Sequence, residues 1–124
     1  MSTPKTIVFV EDEESIVTLL RDALSALNVE VIGASRVEDG VAAVRKHHPA
    51  LVVLDFMLPV KSGWLLVDEL RADPQFADLP IIVYTSRELT DEKLQGGRLD
   101  QVQEFITKPR SILELRRLIE KYLG

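Results

Sequence analysis

Short runs of apolar, mostly β-branched residues are the feature that most constrains the fold of this chain. Four of them occupy residues 7–10, 51–54, 81–84 and 105–107, and each ends abruptly in polar or charged residues. Runs of this length are too short for core helices and are typical of strands buried on both faces. Such strands occur in parallel sheets covered by helices on both sides, so the pattern predicts an α/β domain.

The segments between these runs carry apolar residues at helical spacing. The predicted helices are residues 14–27, a helix opened by the capping-box sequence 35–38 that stops before Pro49, residues 64–72, a short helix after Leu89, and a last helix opened by the capping box 111–114. The predicted strands are residues 7–10, 29–33, 51–55, 81–85 and 103–107. Five strands alternating with five helices predict a three-layer α/β sandwich on a parallel sheet.

Composition narrows the class of protein further. The 124 residues, 46% of them hydrophobic, match one domain spanning 1–124. The chain has no cysteine, which excludes disulfides, thiolate chemistry and zinc sites built on cysteine. No signal-peptide region or membrane-spanning run is found, so we expect a cytoplasmic protein with no membrane partner. The net charge of −5 argues against direct nucleic-acid binding.

Asp55 is a carboxylate placed at the end of a hydrophobic strand, where an unpaired charge costs several kcal/mol, roughly. Glu11 and Asp12 follow the first strand, and the carboxyl ends of parallel strands converge on one edge of a sheet. Three close carboxylates repel one another unless a cation lies among them. Oxygen ligands without nearby histidine or cysteine suit Mg²⁺ or Mn²⁺, which commonly also bind a phosphate oxygen.

Two more polar side chains follow neighbouring strands. Lys108 can pair with Asp55 or with a phosphate, and Thr85 supplies a hydroxyl donor. A carboxylate beside a metal, a lysine and a hydroxyl is equipped to attack phosphorus and form an acyl phosphate. By contrast, Glu13 and Glu14 are interpreted as helix N-terminal charges.

With these residues in place, the chain resembles the receiver domain of two-component response regulators over nearly its whole length. The resemblance rests on four fragments in order: residues 10–12, residues 54–59 with Gly63, residues 80–86, and residues 105–109. Similar receivers include chemotaxis regulators and domains of hybrid histidine kinases. The resemblance implies a flavodoxin-like fold with strand order 2-1-3-4-5.

The same resemblance implies the site residues. Asp55 would be the phosphoacceptor, Asp12 the main metal ligand with Glu11 assisting, and the Met57 carbonyl a backbone metal ligand. Thr85 and Lys108 would contact the phosphoryl group. In this family the threonine hydroxyl is coupled to an aromatic side chain, here Phe105, which turns inward and remodels the surface of the fourth predicted helix and fifth strand. The alternative interpretation of Phe105 is an ordinary core residue.

The implied partners are a histidine kinase or histidine phosphotransfer protein upstream, and a downstream protein target or a missing output domain. Homodimerisation through the fourth and fifth predicted helices is common in the family, although Gly96 and Gly97 interrupt the fourth helix here. Met57 and Arg87 lack a carboxylate or amide that would orient an attacking water, which predicts slow self-dephosphorylation.

Three other functions are alternatives for a chain with an aspartate at a strand end. A phosphatase of the haloacid-dehalogenase type also uses an aspartate nucleophile, but it needs a second carboxylate two residues later, where this chain has Met57. A nucleotide- or flavin-binding module would need a glycine-rich phosphate loop, and the sequence has none. A receiver that acts only as a docking module, without accepting phosphate, is the third.

Overall fold

The computed structural model describes residues 4–55, 63–85, 104–107 and 112–123. The strands are β1 (Lys5–Val10), β2 (Val29–Ala34), β3 (Leu51–Leu54), β4 (Ile81–Thr85) and β5 (Glu104–Thr107). The α-helices within the described ranges are α1 (Glu14–Ala23), α2 (Val37–His47), α3 (Gly63–Ala72) and α4 (Ile112–Leu123). The helix predicted after Leu89 lies outside the described residues.

The five strands form one parallel sheet in the order β2-β1-β3-β4-β5. This flavodoxin-like order places β1 and β3 side by side at the centre, where the chain changes direction across the sheet. In parallel α/β sheets the crevice at this switch point, outside the carboxyl ends of the strands, is where sites are built. The predicted parallel sheet and its strand order are therefore confirmed.

Alternate residues of the central strands pack into two separate cores. Val8, Val10, Val52 and Leu54 pack with α2 and α3 on one face of the sheet. On the other face, residues such as Ile7 pack with α1 and α4. Helices thus cover both faces, which explains why β1 and β3 read as unbroken apolar runs rather than alternating ones.

Helix α1 ends at Ala23, four residues earlier than predicted. Leu24 caps the helix, and the amide of Leu24 donates to the carbonyl of Leu20 at 3.0 Å. Leu24 is buried and Leu27 packs on the same core from the following turn. The apolar spacing therefore continues past the helix end, because a turn keeps both leucines on the core. Leu19 continues the same helical spacing of apolar residues but is 52% exposed.

The capping box predicted at residues 35–38 does not form as expected. The N-cap is Arg36, in an extended conformation and without a side-chain cap hydrogen bond. The reason lies in β2, which extends to Ala34 and pairs there with Val10. Because the chain is still extended at that point, the helix begins only at Val37.

The connection between α3 and β4 contains a 3₁₀ helix, Pro74–Phe76, which was not predicted. The Asp73 side chain accepts a hydrogen bond from the Gln75 amide at 3.0 Å, and Phe76 is buried. Arg71 donates to the Phe76 carbonyl at 2.9 Å. Burial lowers the pKa of the Arg71 guanidinium, and the charge of Asp78 opposes that shift. The Arg71 hydrogen bond thus ties the end of α3 to the 3₁₀ helix that precedes β4.

Among the residues described, no helix has the length and apolar character needed to cross a membrane.

Candidate functional site

The backbone hydrogen bonds of the sheet fix where its acidic residues lie. Glu11 directly follows β1, and its amide donates to the carbonyl of Ala34 at 2.8 Å. Asp55 directly follows β3, and its amide donates to the carbonyl of Val10 at 2.9 Å. Each residue therefore continues the ladder of its strand by one position, which holds both side chains at the carboxyl edge of the central strands.

The structure brings Glu11, Asp12 and Asp55 together, as predicted. One carboxylate oxygen from each residue lies within 4.8 Å of the other two. Glu11 and Asp55 are almost completely buried, at 2% and 3% exposed, whereas Asp12 is exposed. The amide of Glu13 donates to Glu11 Oε2 at 3.3 Å, so the turn before α1 helps to orient that carboxylate.

This arrangement fits a hard divalent cation. Two of the carboxylates are out of water, where charge repulsion is screened less than at the surface. The donor set is oxygen only, and Asp12 is the exposed member of the three. Mg²⁺ commonly takes one or two carboxylates together with waters and phosphate oxygens. The three residues present therefore match what such an ion requires.

The remaining predicted site residues are placed by the sheet or lie outside the described ranges. Thr85 is the last residue of β4, and its backbone pairs in register with Thr107 of β5. Phe105 lies in β5, opposite Val83. Lys108 and Met57 lie outside the described residues. The roles assigned to these four residues stay predictions.

Sequence reasoning missed a cavity of about 420 Å³ that adjoins the acidic cluster at Glu11. It lies between α1 and the end of β2, and its lining includes Glu14, Thr18 and Arg21. The shape of this cavity depends on how closely the helix approaches the strand. The sequence signal for this close approach is Gly33, because a Cβ added there would lie 3.2 Å from Val17 Cγ1 of α1.

Comparison with known proteins assigns the family. The sequence model of the family described as response regulator receiver domain matches residues 7–120 of this chain. The chain therefore belongs to the receiver domains of two-component response regulators, the signalling domains of phosphorelays. Phosphorylation and Mg²⁺ binding are general properties of this family.

Two relatives illustrate the range of lengths in the family. The phosphate regulon transcriptional regulatory protein PhoB of Pseudomonas aeruginosa is 36% identical over 111 residues, which cover 90% of this chain and 48% of PhoB. The polar-differentiation response regulator DivK of Brucella ovis is 31% identical over 123 residues, covering 97% of each protein. The chain thus spans about half the length of PhoB and of several other curated relatives it matches, but nearly all of DivK.

A solved structure with a similar fold is the receiver domain of the sensor histidine kinase PA1611 from Pseudomonas aeruginosa. It superposes with a TM-score of 0.82 at 26% sequence identity, covering 98% of each chain. That structure holds a magnesium ion coordinated in its active site cleft.

Proposed function

We propose that this chain accepts a phosphoryl group on Asp55, from a histidine kinase or a histidine phosphotransfer protein, with Mg²⁺ as cofactor. The observation that carries the proposal is the trio of Glu11, Asp12 and Asp55 within 4.8 Å of one another at the central strand ends. Of the three, Asp55 lies at the end of the strand nearest the middle of the sheet order, β3. In that position Asp55 has a strand on each side, β1 and β4, whose carboxyl ends can supply further groups to the site.

The proposed reaction is an in-line displacement at phosphorus. A carboxylate oxygen of Asp55 attacks the phosphorus of a phosphohistidine, an O–P bond forms, and the N–P bond breaks. The leaving imidazole keeps the electron pair of that bond and takes up a proton. The product is the acyl phosphate of Asp55, and the partner's histidine is regenerated.

Glu11 and Asp12 would hold the divalent ion together with Asp55, and the Met57 carbonyl would add a backbone ligand. When bound, Mg²⁺ supplies positive charge that offsets the negative charge of the carboxylates and of the phosphoryl oxygens. Mn²⁺ prefers similar oxygen ligands and would serve in its place. The hydrogen bond from the Glu13 amide to Glu11 Oε2 would help to hold that carboxylate in place for the ion.

Thr85 and Lys108 would complete the site from the β4 and β5 side. Thr85 ends the strand next to β3, which supports a contact between its hydroxyl and a phosphoryl oxygen. Lys108 follows β5 by one residue and would pair with the phosphoryl group. Movement of Thr85 toward this group would let Phe105 turn inward, which is how the chemical change would reach a protein-binding surface.

The proposed role is that of a signalling domain spanning 1–124, rather than an enzyme acting on a separate substrate. Its phosphorylated surface would bind a downstream protein or act on an output domain of a larger protein, in the cytoplasm. DivK, which this chain matches almost entirely, supports binding to a downstream protein. PhoB, of which this chain matches about half, supports action on an output domain of a larger protein.

Intact-mass measurement after incubation with acetyl phosphate and Mg²⁺ tests the proposal. We expect one phosphoryl adduct on the wild type, none on Asp55→Asn, and none on the wild type in excess EDTA. The matched control is Asp22→Asn, which removes an exposed aspartate of α1 and should keep the adduct. A wild type without an adduct, but folded, would indicate a docking module instead; an adduct on Asp55→Asn would place the phosphoryl group elsewhere.

The absence of an amide or carboxylate at Met57 and Arg87 supports slow hydrolysis of the acyl phosphate. We expect the adduct to persist well beyond seconds after removal of acetyl phosphate. Met57→Asn introduces an amide that could orient water, and it should shorten the lifetime. Loss of the wild-type adduct within seconds would contradict this part of the proposal.

A further inference from the structure

The outer edge of the sheet at β2 is exposed to strand pairing. Among the strands that the structure describes, β2 has one neighbour, β1. Its six residues include one charged side chain, Glu30, and neither the proline nor the lysine that commonly protects an edge strand. The helices α1 and α2 pack beside it on the two faces of the sheet. They leave its edge as a row of backbone groups that another strand could extend.

The hydrogen bonds of β2 show which of its carbonyls point outward. The Ala34 carbonyl accepts from the Glu11 amide, so it points toward β1. Peptide groups alternate in direction along a strand, and the Val31 carbonyl, three residues earlier, therefore points away from β1. At the beginning of the strand, the Val29 amide donates to the Leu27 carbonyl at 2.9 Å within a turn.

Arg21 of α1 occupies the middle of this outer edge. Its guanidinium nitrogen Nη2 donates to the outward-pointing Val31 carbonyl at 3.0 Å. The side chain also lines the cavity of about 420 Å³ between α1 and the end of β2. The residue as a whole is exposed, and a strand approaching the edge would have to break this hydrogen bond and move the guanidinium out of the position that the new strand's own amide would take.

We propose that Arg21 prevents the edge strand β2 from pairing with β2 of a second copy of this chain. A second copy is the fitting occupant because two identical edges can pair antiparallel about a two-fold axis at Val31. In that geometry the outward amide and carbonyl of one Val31 meet those of the other. The β-branched residues Val29, Val31 and Ile32 also favour a strand pair over a helix or loop contact. Arg21 thus keeps the chain from extending its own sheet.

Replacement of Arg21 tests this proposal. Arg21→Met keeps the aliphatic stem and the helix propensity but removes the donor, and Arg21→Gln leaves a donor too short to reach the strand. Arg45→Met is the control, because Arg45 is an exposed arginine on α2 whose contact is with Glu69 at 3.9 Å. Sedimentation equilibrium would be recorded at roughly 100 μM protein, where a micromolar dimer is mostly assembled. Hydrogen exchange would be followed at the amides of residues 29–34.

We expect both Arg21 variants to sediment as dimers, with slower exchange at the Val31 amide as the protein concentration rises. The wild type and Arg45→Met should show no such concentration-dependent protection of β2. A folded, monomeric variant at position 21 would overturn the proposal. A dimer in which slowed hydrogen exchange falls on an element other than β2 would overturn it as well. Loss of folding in both variants would also overturn it, since Arg21 would then be holding the fold itself.

Discussion

Glu11 and Asp55 are two buried carboxylates that lie side by side at the ends of adjacent central strands. Their oxygens are within 4.8 Å of each other, and each side chain is at most 3% exposed. The backbones of β1 and β3 impose this proximity, because the Asp55 amide donates a hydrogen bond to the carbonyl of Val10, the residue just before Glu11. The fold thus brings like charges together where water screens them poorly, an arrangement more typical of binding sites than of structural contacts.

A divalent cation should stabilise the folded protein. An ion that binds the proposed native cluster and not the unfolded chain should add about 1.4 kcal/mol to the free energy of unfolding at a Mg²⁺ concentration of tenfold the Kd. Thermal unfolding with EDTA and with Mg²⁺ measures this as an increase in Tm. Glu11→Gln and Asp55→Asn should reduce the increase.

The control for that measurement is Glu13→Gln. Glu13 is an exposed carboxylate in the same turn, and its backbone amide rather than its side chain contacts Glu11. This variant should respond to Mg²⁺ as the wild type does. An equal response in Asp55→Asn would mean that the ion binds elsewhere.

Asp55→Asn should stabilise the metal-free protein. Removing one of three close negative charges relieves repulsion that the sheet otherwise enforces, and a gain of about 1 kcal/mol is expected. Asp12→Asn should gain less, because Asp12 is exposed and its charge is screened by water. Urea denaturation in EDTA gives both values. A less stable Asp55→Asn protein would show that hydrogen bonds to the carboxylate outweigh the repulsion.

Gly40 lies where α2 packs tightly against side chains of β1 and α3. A Cβ added there would lie 2.8 Å from Val10 Cγ2 and 2.9 Å from Leu66 Cδ1. Gly40→Ala should therefore destabilise the protein by about 1–3 kcal/mol through overpacking, despite the better helix propensity of alanine. Gly33→Ala, whose Cβ would meet Val17 Cγ1 at 3.2 Å, should be milder. Chemical denaturation ranks the two, and the reverse ranking would contradict the packing argument.

His48 ends α2 in a left-handed conformation, with φ 46° and ψ 62°. Its ring lies 5.4 Å from that of Phe76, between centroids, which links α2 to the connection before β4. His48→Val should cost about 1–3 kcal/mol, because a β-branched residue is strained at this φ. His47→Val, one residue earlier within the helix, should cost only about 0.5 kcal/mol. Equal effects in urea denaturation would argue against strain at residue 48.

Much of the fold could be predicted because buried parallel strands have a distinctive sequence. The runs at 7–10 and 51–54 are apolar at every position, and both lie in the fully buried centre of the sheet. The element boundaries were less predictable. Leu24 and Leu27 continue the helical spacing of α1, but they lie in a turn after the helix end. Ser35 is the residue type expected at the N-cap of α2, but Arg36 occupies the N-cap position.

The acidic site was predictable for a similar reason. Glu11, Asp12 and Asp55 each follow an apolar run, and parallel strands bring their carboxyl ends to one edge. The sequence could not reveal Arg21 as a partner of β2. That contact joins residues ten positions apart through the angle at which α1 crosses the strand, and no local pattern encodes this angle.

The sequence alone therefore determined the class of fold and the identity of the acidic cluster, because hydrophobic runs and the charges that end them are local properties of the chain. Only the tertiary structure decided that Glu11 and Asp55 are both buried, that Gly40 lets α2 approach Val10, and that Arg21 donates a hydrogen bond to the Val31 carbonyl of β2. Burial and close approach depend on the packing of whole elements against one another, which is set by side chains distant in sequence.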